Sequence, residues 1–284
     1  MHVSALAIYP LKSGRAVPLQ ATEIDRLGLK DDRRLLLVSP DGQFMTQREF
    51  QDLARLAVTV SDAGGYDISM NGKGSIHVAL PDGTHRKDVT IWDDVTNAAV
   101  ADAASNAALS EWLGRQVELV YYDDRAHRSA SETWTGDTDT EVSFTDGYPI
   151  LVTTTASVEA LKADMESHGE GSAGMDRFRP NIVIDGSEAW AEDGWAAIEI
   201  GGIRFDLVKP CARCIMTTQD QMSGSREVPS PIPAMGRLRM SADRRVPGPL
   251  FGWNVVPRGT GTIRLGDAVT VLKTRPEGWA FKRR

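Results

Sequence analysis

The sequence predicts a mostly β protein of the α+β class with a few helices. Short apolar segments recur between turn residues along most of its 284 residues, as is typical of strands joined by tight connections. In the last third, Gly201-Gly202 and Gly266-Asp267 lie between apolar segments and predict two β-hairpins. Helical spacing of apolar residues appears in few places. A chain of this length can form one large domain or two ordinary ones.

Residues 1–92 predict strands connected by turns, two of which have the sequence Pro-Asp-Gly. The predicted strands are Val3–Tyr9, Val17–Ile24, Arg34–Val38, Gln43–Thr46, Ala57–Ser61, Tyr66–Met70, Ser75–Leu80 and Asp88–Trp92. Phe50–Leu56 predicts one short helix among them. Because these strands follow one another without long helices between them, we expect a barrel or a sandwich instead of parallel βαβ units.

The middle of the chain contains the predicted helices. Val100–Leu113 is rich in alanine, which favours helix, and Gly114 suits its C-terminal end. Thr155–Ser167 has apolar residues at helical spacing. Polar composition predicts a loop at Asp123–Thr140 and a long loop at Thr218–Gly248, where we expect a lid or a partner surface. The remaining predicted strands are Val117–Tyr122, Ile150–Thr153, Asn181–Ile184, Ala196–Ile200, Ile203–Val208, Thr262–Leu265 and Val269–Leu272.

Charge and composition disfavour several classes of protein. The net charge of −7 argues against a nucleic-acid or anionic-membrane partner, since both bind basic surfaces. No apolar run approaches the roughly 18 residues of a membrane span. The N-terminal segment has the pattern of a strand and not of a signal peptide, and two cysteines are too few for a secreted disulfide framework. We therefore expect a cytoplasmic protein with no nucleic-acid and no membrane partner.

The two cysteines form the motif Cys211-Ala212-Arg213-Cys214 directly after a predicted strand. Four interpretations are open: packing of two small residues, a thioredoxin-like redox pair, part of a zinc site, or a single thiolate that acts as metal ligand or nucleophile. The residues at 215–218 are β-like, which disfavours the redox pair because that motif expects a βαβ context. The five histidines are scattered along the chain, which disfavours zinc.

Three further clusters place cations near the ends of predicted strands. They are Tyr9–Gly14 with Lys12 and Ser13, the Asp-Arg-Arg triplet at 32–34 followed by Thr-Gln-Arg at 46–48, and Arg177–Asn181. Each cluster alone is also explained by solvated charges beside strands. Arginine and lysine bind phosphate through charge-assisted hydrogen bonds, and Ser and Asn can hydrogen-bond ring heteroatoms. Together in an acidic protein, these clusters are consistent with an anionic cofactor in a cleft.

The order of these motifs resembles that of MOSC-domain molybdenum enzymes of the amidoxime-reducing branch. The matching segments are Tyr-Pro-Leu-Lys-Ser-Gly at 9–14, Asp-Arg at 32–33, Phe-Arg-Pro-Asn-Ile-Val-Ile at 178–184, Cys-Ala-Arg-Cys-Ile-Met-Thr-Thr at 211–218, Pro-Leu-Phe-Gly at 249–252 and Gly-Thr-Ile-Arg-Leu-Gly-Asp at 261–267. Any one of them is a weak signal. All of them in the family's order are specific, and they cover nearly the whole chain.

The resemblance implies an N-terminal β-barrel-like domain, residues 1–120, packed on a β-barrel MOSC domain, residues 121–284. It also implies a molybdenum–molybdopterin cofactor in the cleft between them, with Cys214 as the metal ligand and a catalytic residue. Asp146 is the second candidate catalytic residue, either as a proton donor or as a hydrogen-bond acceptor beside the cofactor. The implied cofactor contacts are Lys12, Ser13, Arg33, Asp146, Gly147, Tyr148, Arg179, Asn181, Ala212, Arg213 and Asn254.

The activity implied by the resemblance is reduction of an N–OH group to N–H with release of water. Some bacterial relatives carry a ferredoxin domain with four clustered cysteines, and this sequence has no such cluster. We therefore expect electrons from a separate protein of the ferredoxin, flavin or cytochrome type. Asn254 departs from the family's pattern, because vertebrate relatives have an aromatic residue there. The alternative function is a carrier that binds the cofactor, or sulfur on Cys214, and delivers it to a partner enzyme.

Overall fold

The structure, a computed structural model, describes residues 1–136 and 139–282. The predicted class is confirmed, because these residues form mostly strands with a few helices. The strands are β1 (His2–Ile8), β2 (Val17–Leu19), β3 (Ala21–Asp25), β4 (Gly28–Leu29), β5 (Leu35–Val38), β6 (Leu56–Val60), β7 (Tyr66–Met70), β8 (Gly74–Val78), β9 (Arg86–Ile91), β10 (Asp94–Val100), β11 (Glu118–Tyr121), β12 (Ile150–Thr154), β13 (Ile182–Asp185), β14 (Trp195–Ile200), β15 (Ile203–Ala212), β16 (Leu250–Pro257), β17 (Gly261–Arg264) and β18 (Val269–Thr274).

The helices are short and few. The α-helices are α1 (Ala103–Leu113), α2 (Glu132–Thr135), α3 (Thr155–Ser167) and α4 (Ile232–Leu238), and 3₁₀ helices lie at Gln51–Arg55, Met175–Phe178, Ala191–Gly194 and Ile215–Thr218. Within the described segments, no helix has the length and apolar character needed to cross a membrane.

The largest sheet contains strands from both ends of the chain. Its order is β18-β14-β15-β16-β12-β13-β1-β2. Strands β12 and β13 run parallel and are connected through α3, as parallel neighbours require a crossover. Strand β1 pairs antiparallel with β13, where Leu6 lies opposite Ile182. The first strand of the chain is therefore hydrogen-bonded into the same sheet as the C-terminal strands, and the division at residue 120 stays a prediction.

Three smaller sheets complete the fold, in the orders β5-β11-β10-β9, β17-β3-β4 and β6-β7-β8. Strand β5 is buried along its whole length. Leu35 and Leu37 pack in one apolar cluster, whereas Leu36 and Val38 pack in another, because successive side chains of a strand point to opposite faces. The segment Leu35–Val38 therefore joins two parts of the core.

Helices α1 and α3 begin and end where their local chemistry predicts. Helix α3 spans the residues predicted for it, and the side chain of Thr154 accepts a hydrogen bond from its first turn. Helix α1 begins at Ala103 and not at Val100, because Val100 pairs with strand β11. Gly114 ends α1 in the left-handed conformation, with φ of 64°, as the sequence predicts.

Several local predictions were wrong. Gln43–Thr46 forms isolated bridges instead of a regular strand. Residues 215–218 form a 3₁₀ helix and not β structure, because the backbone and hydroxyl of Thr217 both donate to the carbonyl of Cys214. Strand β10 was not predicted, and neither was β16, whose residues are mostly buried and so lack an alternating pattern. The predicted loops contain α2 and α4, and residues 137–138 of the first loop lie outside the described segments.

Backbone hydrogen bonds join the two segments that carry the first cations of the site. Arg33 donates its N–H to the carbonyl of Tyr9 at 2.9 Å, and Leu35 donates to Pro10 at 2.9 Å. The N–H of Lys12 then donates back to Leu35 at 2.8 Å. This ladder fixes the loop after β1 against the entry to β5, so that Lys12 and Arg33 are held in the same region.

Candidate active site

A cleft open to solvent gathers the residues proposed from the sequence. Every candidate site residue lines it, from Lys12 near the N-terminus to Asn254 in β16. The lining residues that were not among those candidates are Thr46, Arg48, Thr145, Ile150, Leu151, Phe178, Cys211 and Met216. Because these residues come from distant segments of the chain, the cleft exists only in the folded protein.

Cys214 lies on the wall of the cleft, just after the end of β15. On the N-terminal side of Cys214, the backbone is held by a hydrogen bond from Arg213 N to Pro249 O at 2.8 Å. On its C-terminal side a 3₁₀ turn begins, in which Thr217 Oγ1 donates to the Cys214 carbonyl at 3.0 Å. The side chain is half-buried, and its sulfur accepts a hydrogen bond from Arg48 Nη2 at 3.4 Å. The sulfur is therefore accessible from the cleft on a backbone held from both sides.

Cys211 lines the same cleft but has a different partner. Both cysteines are free thiols. The Cys211 sulfur accepts from Arg213 Nη1 at 3.0 Å, and the other guanidinium nitrogen, Nη2, donates to Phe178 O at 2.8 Å. Each sulfur thus faces its own arginine, which makes the two cysteines chemically distinct.

Lys12 and Asp146 form an ion pair, with Nζ 2.5 Å from Oδ1. The ammonium also donates to Phe144 O at 2.9 Å and is almost fully buried. Burial lowers the pKa of Lys12, and Asp146 opposes this change. Partial desolvation inside the cleft raises the pKa of Asp146, whose side chain remains largely exposed, but Lys12 and then Arg48 outweigh this effect and hold that pKa well below its usual value. Asp146 is therefore a carboxylate at neutral pH.

Arg33 is fixed by two side chains and an aromatic ring. Its Nη1 contacts the carboxylate of Asp32 and donates to Asn181 Oδ1 at 3.0 Å. The guanidinium carbon lies 4.3 Å from the centre of the Tyr9 ring, within the range of a cation–π contact. Burial raises the pKa of Asp32, whereas Arg33 lowers it. The Arg33 guanidinium is thus oriented before any ligand binds.

Asn181 supports Arg33 and the surrounding backbone. Its Oδ1 also accepts from the N–H of Leu151 at 3.1 Å, and its Nδ2 donates to Ala7 O at 3.2 Å. Since both ends of the amide are bonded within the protein, Asn181 positions Arg33 in this structure. Its predicted direct contact with the cofactor stays a prediction.

Arg179 lies over the same Tyr9 ring, at 4.1 Å. Its Nη1 donates to Gly14 O at 2.8 Å and to Gln221 Oε1 at 3.0 Å. Burial lowers the pKa of Arg179 to about 10, so the group remains a cation at neutral pH. Burial likewise raises the pKa of Tyr9 to about 12, and its hydroxyl donates to Pro180 O at 3.1 Å.

Three of the cleft residues have left-handed backbone conformations that are unfavourable for residues with a side chain. The φ angles are 67° at Ser13, 48° at Arg33 and 55° at Arg179. Conformations of this kind cost about 1 kcal/mol or more each and cluster at functional sites. Ser13 is held there by Gln47, whose Nε2 donates to the Ser13 carbonyl at 2.7 Å. The strain therefore coincides with the positions that the sequence motifs identify.

The remaining candidates, which include Ala212 and Asn254, also line the cleft. Ala212 pairs with Leu250, and Asn254 lies in β16 opposite Leu151. Burial raises the pKa of Tyr148 to about 12. A Cβ added at Gly147 would meet no atom within 4 Å, so the space over this backbone is open to a ligand.

The cleft fits the molybdenum–molybdopterin group that the resemblance implies. It presents cations for a phosphate, a half-buried sulfur for a soft metal, and open space over Gly147. Within the described segments, Thr145 Oγ1 and Arg213 Nε are buried without a hydrogen-bond partner, and such groups normally have one. The same segments contain no cluster of three His, Cys, Asp or Glu side chains arranged for a metal.

Arg48 is the most informative lining residue that the sequence argument left out. The triplet Thr46-Gln47-Arg48 was noted as a cationic cluster, but nothing local separates it from other charged turns. Non-local pairing places it in the cleft, since Met45 N donates to Leu37 O at 2.9 Å. The sequence feature that points to Arg48 is its position after the Pro40-Asp41-Gly42 turn. This turn predicts that the chain reverses there, but it does not predict which segment the returning chain packs against.

Comparison with known proteins agrees with the motif pattern. Residues 1–116 match the family model described as "MOSC N-terminal beta barrel domain", and residues 139–270 match "MOSC domain". "Mitochondrial amidoxime-reducing component 1" of Danio rerio is 31% identical over 279 residues, which cover 94% of this chain and 83% of that protein. The proteins of the same name from Xenopus laevis (30% identical, 94% and 81% covered) and Homo sapiens (28%, 95% and 82%) are also similar. The chain therefore belongs to the MOSC family, in the group of the amidoxime-reducing components.

Proposed function

We propose that this protein is a molybdenum-cofactor-dependent enzyme that reduces N-hydroxylated compounds. The N–O bond of the substrate breaks, two electrons and two protons are taken up, and an N–H product and water leave. The observation that carries the proposal is the half-buried Cys214 sulfur on the wall of a cation-lined cleft. The names of the relatives, which describe reduction of amidoximes, support the choice of substrate class.

The residues that would hold the cofactor divide by chemistry. Cys214 supplies a thiolate ligand, which suits a soft metal whose other sulfurs come from the pterin. Lys12, Arg33 and Arg179 provide positive charge for the phosphate. When bound, the molybdenum cofactor supplies the oxygen-transfer and two-electron chemistry, and the protein supplies orientation and electrostatics.

The contribution of the chain's own residues is preorganisation. Arg33 and Arg179 are held on the Tyr9 ring before a ligand arrives, so little reorganisation is needed when negative charge develops near them. Lys12 and Asp146 share a short hydrogen bond at the cleft wall. Because the pKa of Asp146 is lowered, it serves as the acceptor that keeps Lys12 protonated, which favours the acceptor role over that of proton donor.

The electron donor in this proposal is a separate redox protein of the ferredoxin, flavin or cytochrome type. A cytoplasmic location also stays a prediction, and the similar proteins are named as mitochondrial. The carrier alternative rests on the same half-buried sulfur, which could deliver a cofactor or a sulfur atom as well as hold a metal.

One experiment separates these alternatives. The protein is purified from a host that makes the molybdenum cofactor, its molybdenum is measured by mass spectrometry, and turnover of benzamidoxime is followed with reduced methyl viologen. The enzyme proposal predicts near-stoichiometric metal and formation of benzamidine. Bound metal without turnover would support the carrier, and folded protein that contains neither metal nor pterin would refute both.

A further inference from the structure

Arg48 lies beside the Cys214 sulfur but has no assigned partner in the proposed reaction. Its Nη2 is 3.4 Å from Sγ, and the side chain lines the cleft. The backbone around it is fixed, because Arg226 Nη2 donates to the Arg48 carbonyl at 2.9 Å. A fixed backbone and a directed side chain place one guanidinium next to the site where the chemistry is proposed to occur.

Among the described residues, two cations of the cleft are each paired with a carboxylate, Lys12 with Asp146 and Arg33 with Asp32, whereas Arg48 is not. In the described parts of the chain, its side chain contacts the Cys214 sulfur and the Trp92 ring, and forms no ion pair. Within the same segments Arg179 and Arg213 also lack a carboxylate partner, but they donate to other acceptors: Arg179 to Gly14 and Gln221, and Arg213 to Phe178 and Cys211. Since Lys12 balances the charge of Asp146, Arg48 contributes a net positive charge beside the sulfur.

Trp92 holds the Arg48 side chain in this position. The guanidinium carbon lies 4.3 Å from the ring centre, and Phe44 supports the ring edge-on at 4.8 Å. Trp92 is 44% exposed and has φ of 56°, which is an unfavourable conformation for a bulky residue. An exposed, strained tryptophan contributes little to the core, so we infer that the role of Trp92 is to orient the Arg48 guanidinium.

We propose that Arg48 is a specificity-determining residue that favours substrates with a negatively charged group near the reacting N–OH. The proposal rests on the proposed function, because it assigns a substrate preference to the same cleft. A guanidinium presents several N–H donors in one plane, so one can remain on the sulfur while others bind a carboxylate or phosphate of the substrate. Neutral substrates gain nothing from this charge.

The first test uses the metal-free full chain and does not require activity. In a Cys211→Ala background, Cys214 is allowed to react with a dianionic disulfide reagent, Ellman's reagent, and with neutral 4,4′-dithiodipyridine. The ratio of the two rates reports the charge beside the sulfur, because the same thiolate attacks both reagents. Arg48→Met is expected to lower the rate with Ellman's reagent, relative to the rate with the neutral reagent, about fivefold, because it removes one partly screened charge contact. Arg48→Lys keeps the positive charge and is expected to retain most of the ratio.

Arg115→Met is the matched control, because Arg115 stacks on Phe50 at 4.4 Å outside the cleft and its loss should leave the ratio unchanged. An equal ratio in Arg48→Met and the parent would overturn the proposal. Thermal melting shows whether each variant is folded, and Arg48→Gln, which also removes the charge, replaces Arg48→Met if the methionine variant does not fold.

The second test uses the cofactor-loaded enzyme. Arg48→Met is expected to lower kcat/KM for 4-carboxybenzamidoxime severalfold more than it lowers kcat/KM for benzamidoxime, so the ratio of the two values reports the lost charge. An equal change for both substrates would contradict a charge-based preference. If neither substrate is turned over by any variant, the proposed function fails, and the reagent ratio still decides whether Arg48 attracts anions to Cys214.

Discussion

At the scale of single residues, the two cysteines of the 211–214 motif occupy different surroundings. Cys214 faces the Arg48 guanidinium in the cleft, whereas Cys211 is bonded to Arg213, which is itself held by Phe178. A dithiol mechanism would make the two sulfurs comparable partners. A metal-ligand role requires only one of them, and we propose Cys214, at the start of the 3₁₀ turn and beside Arg48, as that ligand.

Cys214→Ala is therefore expected to abolish molybdenum retention and turnover, with a shift in Tm of the metal-free protein of only a few degrees. Cys211→Ala is expected to retain the metal and to lose activity only partly. Metal analysis, thermal melting and benzamidoxime turnover measure the three quantities. Complete and equal loss of activity in both variants would instead support a dithiol mechanism.

The Lys12–Asp146 pair has a predictable effect on stability. Because the folded-state pKa of Asp146 is held below its ordinary value of 3.8, the carboxylate contributes stability above that pH and loses it as the pH falls. Asp146→Asn is expected to destabilise the protein by about 1 kcal/mol at pH 7, since the buried Lys12 loses its charged partner but the Asp146 side chain is 61% exposed.

Urea unfolding of this variant and the parent checks the expectation. The difference in unfolding free energy should shrink once the pH falls below about 4, because the unfolded parent chain then protonates Asp146 while the folded protein keeps it ionised. Arg245→Met, which removes an ion pair with Asp243 on the exposed surface, serves as control and should change stability by less than about 0.5 kcal/mol. A pH-independent difference would contradict the role assigned to the pair.

At the scale of elements, the long segment 218–248 is attached to the residues that carry Arg48. Arg226 donates to the carbonyls of Gln47 and Arg48, and Gln219 Nε2 donates to Gln51 O at 3.2 Å. Gly224 allows the backbone of segment 218–248 to approach the backbone of Gln51 closely. A Cβ there would lie 2.5 Å from Gln51 O, and its φ of 82° already favours glycine.

Gly224→Ala is expected to destabilise the protein by about 3 kcal/mol, because it combines backbone strain with a clash against backbone. Gly64→Ala is the matched control. Its φ is 84° but a Cβ there would meet no atom within 4 Å, so the cost should be about 1 kcal/mol. Denaturant unfolding of the two variants measures the difference, and equal losses would show that segment 218–248 is not packed as described.

At the scale of the whole molecule, the cleft is built from both halves of the chain. Lys12, Arg33 and Arg48 precede residue 120, whereas Asp146 and Cys214 follow it. The large sheet is shared in the same way, since β1 and β2 extend the sheet beyond β13. Removing residues 1–120 would expose the edge of β13 and part of the apolar core formed by Val3, Leu6 and Ile8.

We therefore expect the fragment 121–284 to lack a cooperative thermal transition when it is expressed alone. Co-expression with the fragment 1–120 should restore a single transition, because β1 can then pair with β13. Near-ultraviolet circular dichroism and differential scanning fluorimetry distinguish the two outcomes. Cooperative melting of the isolated C-terminal fragment would show that it is an autonomous domain.

Local sequence patterns determined the element types and much of the site. The 13 residues of helix α3 and the glycine that ends α1 were predicted correctly, because helix spacing and end-capping are encoded within a few residues. The cationic motifs and the Cys211–Cys214 motif were recognised for the same reason, and they share one cleft. Strand β16 was missed, because a strand buried on both faces has no alternating signature.

Only the tertiary structure decided which of these residues meet. Arg48 and Cys214 are 166 positions apart, yet one donates a hydrogen bond to the other. Asn181 was predicted as a cofactor contact from the resemblance, which stays a prediction, and the fold shows that its amide also holds Arg33 and two backbone groups. Sequence spacing constrains neighbours along a strand or helix. Contacts across the cleft depend on sheet order and loop packing, which are set by burial of the whole core.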